Sequence, residues 1–279
     1  MHHDLQNDTT KSSGWHMWFR LHTLDHRRVG GSRLIGTGTL AIIRAAFFAY
    51  TLAGWLLSVI LDAKDGNMKG HFVYFTYLCY TGLLAYLAAS LVHTVQVWRR
   101  GSPTLFVRMP KVLQLMHWLL FASALLYATI VSVMFWSLIY QASDYTSTKR
   151  KWVNASVHGT NIVIMWADMI LGAMVFCAHW SHPLLLCFLM ALYLSLAYIN
   201  EAVNGWFAYG FINYKVHKAL EVPIILGILV GTAVIYYLLY GLQVLLDRVL
   251  PPKHITDQSG LEYDDGDEQE DGYKLVSKP

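Results

Sequence analysis

The chain has 279 residues, 55% of them hydrophobic and only 14% charged, with 21 Lys and Arg against 18 Asp and Glu. Soluble domains are about a quarter charged, so this balance excludes an ordinary soluble globular protein. The small positive excess sits in short loops beside apolar runs, which suits lipid headgroups and argues against a nucleic-acid surface.

In chain order, residues 1–37 form a polar N-terminal tail carrying Lys11, Arg20, Arg27, Arg28 and Arg33. It has no apolar stretch, so a cleavable signal peptide is not expected and the first span directs insertion. Six apolar segments follow, at about 39–61, 72–98, 113–140, 156–180, 184–201 and 219–247, each near or above the ~20 residues that cross a bilayer. The expected fold is therefore all-α: a polytopic membrane helix bundle of about six transmembrane helices, occupying residues 38–247. Ser181, His182 and Pro183 are expected to make a tight turn that leaves spans four and five as packed neighbours. Residues 248–279 are read as a disordered acidic tail, because Asp257, Glu262, Asp264, Asp265, Asp267, Glu268, Glu270 and Asp271 leave too little apolar surface to fold.

Basic residues near the span ends set the orientation. Besides the five in the N-terminal tail, Arg99, Arg100, Arg108, Lys111, Arg248 and Lys253 fall on one side, and the other side holds fewer. The positive-inside rule then puts both termini in the cytosol, in the endoplasmic reticulum or the plasma membrane. Cys79, Cys177 and Cys187 lie in apolar runs without metal-ligand spacing and read as small core residues, so no metal or other cofactor is expected.

Ionisable groups inside the spans carry most of the functional signal, since each is costly in hydrocarbon. Arg44 can snorkel to the cytosolic headgroups from the first turns of span one. His93, His117 and His179 fall near span ends, where water can hydrate them. Asp168 lies ten residues beyond His158, about 15 Å deeper at 1.5 Å per residue, and is expected near mid-membrane. Spans two and four run parallel in a six-span topology, so Thr76 and His158, both close to their span starts, share one depth. A hydroxyl beside an imidazole can become a base-activated nucleophile. Taken alone, a threonine in a membrane helix is an ordinary structural residue.

Around these positions the sequence resembles the androgen-induced, androgen-dependent family of multi-span threonine hydrolases. The resemblance is carried, in order, by FVYFTYL around Thr76, MFWSLIY from Met134 to Tyr140, WVNASVHGTNIVIMWAD from Trp152 to Asp168 and NGWFAYGFIN from Asn204 to Asn213, and it extends over about 40–247. It implies hydrolysis of fatty acid esters of hydroxy fatty acids, with Thr76 as nucleophile and His158 as general base. Asp168 matches an acidic position of the family, and Trp206 and Tyr209, in the loop before span six, are expected to cap the pocket. Ala155 and Gly159 depart from the pattern, standing where some members have a second histidine and a threonine. The partners implied are a lipid ester and the bilayer, with no nucleic acid. Two other readings compete: a bis-histidine haem electron-transfer protein, in which His93 and His117 are the pair at one level, and a non-catalytic lipid-binding or scaffold protein that uses its acidic tail.

Overall fold

A computed structural model of the chain describes residues 18–20, 25–140, 147–216 and 221–253. The expected disordered acidic tail, from residue 254 on, and most of the N-terminal tail lie outside the described residues. Six elements cross from one end of the molecule to the other: α1 (Thr37–Lys64), α2 (Phe75–Arg100), α3 (Lys111–Met134, continued by a π turn Phe135–Ile139), a composite α4, α5 (Ser181–Asn204) and α6 (Glu221–Val249). The composite α4 is built from Thr148–Ala155, a π turn Ser156–Thr160 and Asn161–Leu171. All of these but α4 are long and apolar enough to cross a membrane by themselves, which makes the chain an integral multi-pass membrane protein with an all-α bundle fold.

The packing order follows from which apolar faces meet. α1 lies on α2, α2 on α3, α3 on α4 and α4 back on α1, closing a four-helix ring. The α5–α6 pair leans on α3 from outside, so α3 is the most buried crossing and α6 the least. A neighbour on each side gives α3 its core of Trp118, Phe121, Leu125, Leu126 and Ala128.

Span four differs from expectation. Its helix stops at Leu171, nine residues short of the predicted end, and residues 172–178 are not helical although they are apolar. Non-helical backbone in an apolar setting must find partners, and here the protein supplies them. Ala173 N–H donates to the Gly31 carbonyl, Phe176 N–H to the Gln243 side chain, and the carbonyls of Met174 and Cys177 accept from Gln243 and the Tyr236 hydroxyl. Ser181, His182 and Pro183 consequently form the first turn of α5 rather than a tight hairpin turn, and α5 has α6 and α3, not α4, as its main neighbours. Proline is tolerated there because first-turn N–H groups have no intrahelical acceptor.

The residues just before α1 are folded onto this strap. Arg33 N–H and the Ser32 hydroxyl both donate to the Leu171 carbonyl. The Arg33 and Arg28 side chains pair with Asp247 near the end of α6, so the start and the end of the bundle are tied together. We call this the tail end and the opposite one the far end.

Arg44 does not snorkel. It is 1% exposed and holds Asp168 through two bonds, at 2.7 and 3.0 Å, while also donating to Thr94; the Tyr86 hydroxyl adds a 2.6 Å bond to Asp168. Because α4 ends at Leu171, Asp168 sits in its last turn rather than midway along span four. Gly172 permits the approach: a Cβ there would lie 2.7 Å from an Arg44 guanidinium nitrogen and 2.8 Å from the Asp168 carbonyl oxygen. His93 and His117 are also buried rather than hydrated. Their rings meet edge to face at 4.8 Å with Phe106 against both, a contact that leaves no slot for a haem between them.

Candidate active site at the far end

Thr76 stands in the first turn of α2 and is 5% exposed. His158 lies in the middle of the α4 π turn, which packs against α1, α2 and α3. Spans two and four are thus adjacent at the level where their depths coincide. π turns insert one residue into a helix and recur at functional sites because they redirect side chains. Here the turn is held from α3: Phe135 stacks flat on the His158 ring at 3.5 Å, and the Trp136 indole N–H donates to the His158 carbonyl at 2.8 Å.

Two cavities of different character meet at this point. A chamber of about 620 Å³ has a mixed wall that includes the polar groups of Asp62, Asn67, Lys69, His71, Arg150 and Asn154. A second, of about 430 Å³, is walled by aliphatic and aromatic side chains of α2, α3, α5 and α6, including Ile130, Met134, Leu194 and Ile228. Thr76, His158, Tyr209, Phe135 and Ile139 belong to both walls. The junction is therefore lined by a hydroxyl, an imidazole and a phenol between an apolar space and a more polar one.

Of the residues singled out in the sequence, Thr76, His158, Tyr209 and Trp206 are brought together, Trp206 on the polar chamber only. Asp168 is not; it serves the Arg44 cluster and touches neither cavity. The nearest polar partner of the Thr76 Oγ1 is the Tyr209 hydroxyl, at 3.4 Å. Burial pushes the Tyr209 phenol up to about 12 against the lowering effect of its bonds to Thr76, so it is a neutral O–H at ordinary pH. Thr76 and His158 do not hydrogen-bond each other, and the buried His158 Nδ1 has no partner among the described residues. Asn154, although in an N-x-S sequon, is buried in the polar wall.

Sequence reasoning passed over a second group. His71 Nδ1–H donates to Asp62 at 2.6 Å, and the other Asp62 oxygen accepts from Arg150 at 2.6 Å, which also pairs with Asp65. The only signal was a run of charges, Asp62, Lys64, Asp65 and Lys69, ahead of span two, which looks like any solvated loop. Among the described residues no group of His, Cys, Asp or Glu is placed to hold a metal ion.

No curated protein and no solved structure matches the chain. A family model described as FAR-17a/AIG1-like protein matches residues 36–244, from the residue before α1 to within the last turns of α6. That match takes in all six crossings and both cavities, and the chain belongs to this FAR-17a/AIG1-like family, the androgen-induced family it resembles in sequence.

Proposed function

We propose that the chain is a membrane-embedded carboxylic ester hydrolase acting on fatty acid esters of hydroxy fatty acids or related lipid esters. The observation that supports this reading best is the meeting of an apolar and a polar cavity at Thr76, His158 and Tyr209. An acyl chain fits the apolar cavity between α2, α3, α5 and α6, with its carbonyl at the junction. The Thr76 hydroxyl attacks the carbonyl carbon, His158 takes the hydroxyl proton and returns it to the departing alcohol, and an acyl-threonine remains for water to cleave. The Tyr209 hydroxyl, 3.4 Å from Thr76 Oγ1, is close enough to donate to the oxyanion as it forms. One acyl chain is accommodated in this way, since only one of the two cavities is lined almost wholly by apolar groups. The leaving portion turns its polar groups toward the more polar chamber, beneath Trp206.

Turnover of a branched fatty ester by membranes containing the wild type, Thr76→Ala and His158→Ala tests the reading, together with labelling by a fluorophosphonate probe. Thr76→Ala should lose labelling and fall at least ~10³-fold, and His158→Ala ~10²- to 10⁴-fold. Equal hydrolysis and labelling in all three would end it. The same reading keeps both termini cytosolic and the far end on the opposite side. A glycan accepted by a sequon engineered ahead of residue 37 would reverse that orientation.

A further inference from the structure

We propose that His71, oriented by Asp62, is the base that activates water to release the acyl group from Thr76, which makes the polar chamber the hydrolytic half of the site. The inference rests on acylation of Thr76 and adds a second, separate imidazole to it.

Three observations converge. The first is the pairing of His71 with a fixed carboxylate. Asp62, in the last turns of α1, is held on one oxygen by Arg150 from α4 and accepts His71 Nδ1–H on the other. Arg150 balances the Asp62 charge, and the bond to Asp62 fixes which His71 nitrogen carries the proton. This is the arrangement by which a carboxylate sets the tautomer and direction of a catalytic imidazole.

The second is the state of the other nitrogen. His71 is 1% exposed, its ring is stacked on Tyr77 at 4.1 Å with 17° between planes, and Phe72 closes on its edge. Its Nε2 is buried and finds no hydrogen-bond partner among the described residues. A lone pair buried without a donor is uncommon unless a water or a ligand supplies one.

The third is location. His71 and Thr76 are both in the wall of the polar chamber, and Tyr77, on which His71 stacks, is the next residue after Thr76. His158 is built differently. It has no carboxylate partner, and it lies on the border with the apolar cavity, where the acyl chain and the Thr76 proton are. Two imidazoles in the chamber that holds one hydroxyl suit two half-reactions.

In the step assigned to His71, a water oxygen attacks the carbonyl carbon of acyl-Thr76 while its proton passes to Nε2. The tetrahedral adduct collapses with cleavage of the bond between the acyl carbon and Thr76 Oγ1. The Nε2 proton returns to that oxygen, and the carboxylic acid leaves. Asp62 is a positioning residue here, acting only through His71.

The test uses the full chain in bilayer nanodiscs with a long-chain p-nitrophenyl ester. It follows the burst of nitrophenolate, the steady rate and the mass of the peptide containing Thr76. In His71→Gln the burst should persist, the steady rate should fall ~10²-fold or more, and the Thr76 peptide should carry the acyl group until hydroxylamine discharges it. Asp62→Asn should leave the same adduct with a smaller loss of rate. An acylated Thr76 is itself evidence that the variant is folded. Wild-type turnover in His71→Gln beside an inactive Thr76→Ala would overturn this inference alone, as would slow turnover without an acylated Thr76. A burst that survives Thr76→Ala would overturn it together with the proposed nucleophile.

Discussion

At the tail end, Arg44 and Asp168 are buried with every strong bond made: two between themselves, one to Thr94 and one from Tyr86. At the far end, Thr76 and His71 are also buried and His158 partly so, yet Thr76 has only a long contact to Tyr209, and each imidazole keeps a nitrogen without a partner among the described residues. One bundle thus buries polar groups in two ways. Where charges are closed on one another, the cluster fixes the register of three crossings, because α1, α2 and α4 meet there. Where donors and acceptors are left open beside cavities, stability is forgone and groups are kept ready for something else. Unsatisfied polar atoms are costly enough that a cluster of them next to a cavity points to a binding or reacting site.

The largest effect expected from this contrast is on the closed cluster. Asp168→Ala strands the Arg44 guanidinium in an apolar setting with only Thr94, and loss of one partner of a buried pair costs about 3–5 kcal/mol. Thermal unfolding in detergent should show a drop of that size, and the paired change Arg44→Met with Asp168→Leu should recover much of it, since neither charge then remains to be buried. Asp168→Ala unfolding like the wild type would mean that water reaches Arg44, and the contrast between the closed Arg44–Asp168 cluster and the open site would be lost.

How much of this could be read beforehand depended on periodicity and length. The apolar runs located the crossings, and their even number put Thr76 and His158 at one end. The four ordered segments identified the family. The Arg44–Asp168 pair was hidden because residues 172–178 are as apolar as a helix, so hydropathy carried span four on to residue 180 and left Asp168 in the middle. Gly172 stands at the helix C-cap, and distant partners, Gly31, Gln243 and Tyr236, satisfy the backbone beyond it. The His71–Asp62–Arg150 group was hidden for a related reason. Asp62 and His71 lie on opposite sides of a turn, and Arg150 is supplied by a helix far along the chain. The π turns leave no periodic trace, although both fall inside segments that carry the resemblance.

A smaller and more discriminating effect is expected at the far end from Trp136→Phe. The Trp136 indole is half exposed, and its one described hydrogen bond goes to the His158 carbonyl. Removing it should lower stability by only ~1 kcal/mol, the net worth of a typical hydrogen bond. The Phe135 stack on His158 remains, so the imidazole stays in place but the π turn that aims it is less tightly held. Small displacements of a catalytic group reduce rate more than they reduce stability, and kcat on the fatty ester should fall several-fold while the unfolding temperature barely moves. That split is the reverse of the one expected for Asp168→Ala, where stability goes first. An unchanged kcat would show that Phe135 alone aims His158, moving the control of the open end from a hydrogen bond to a stacked ring.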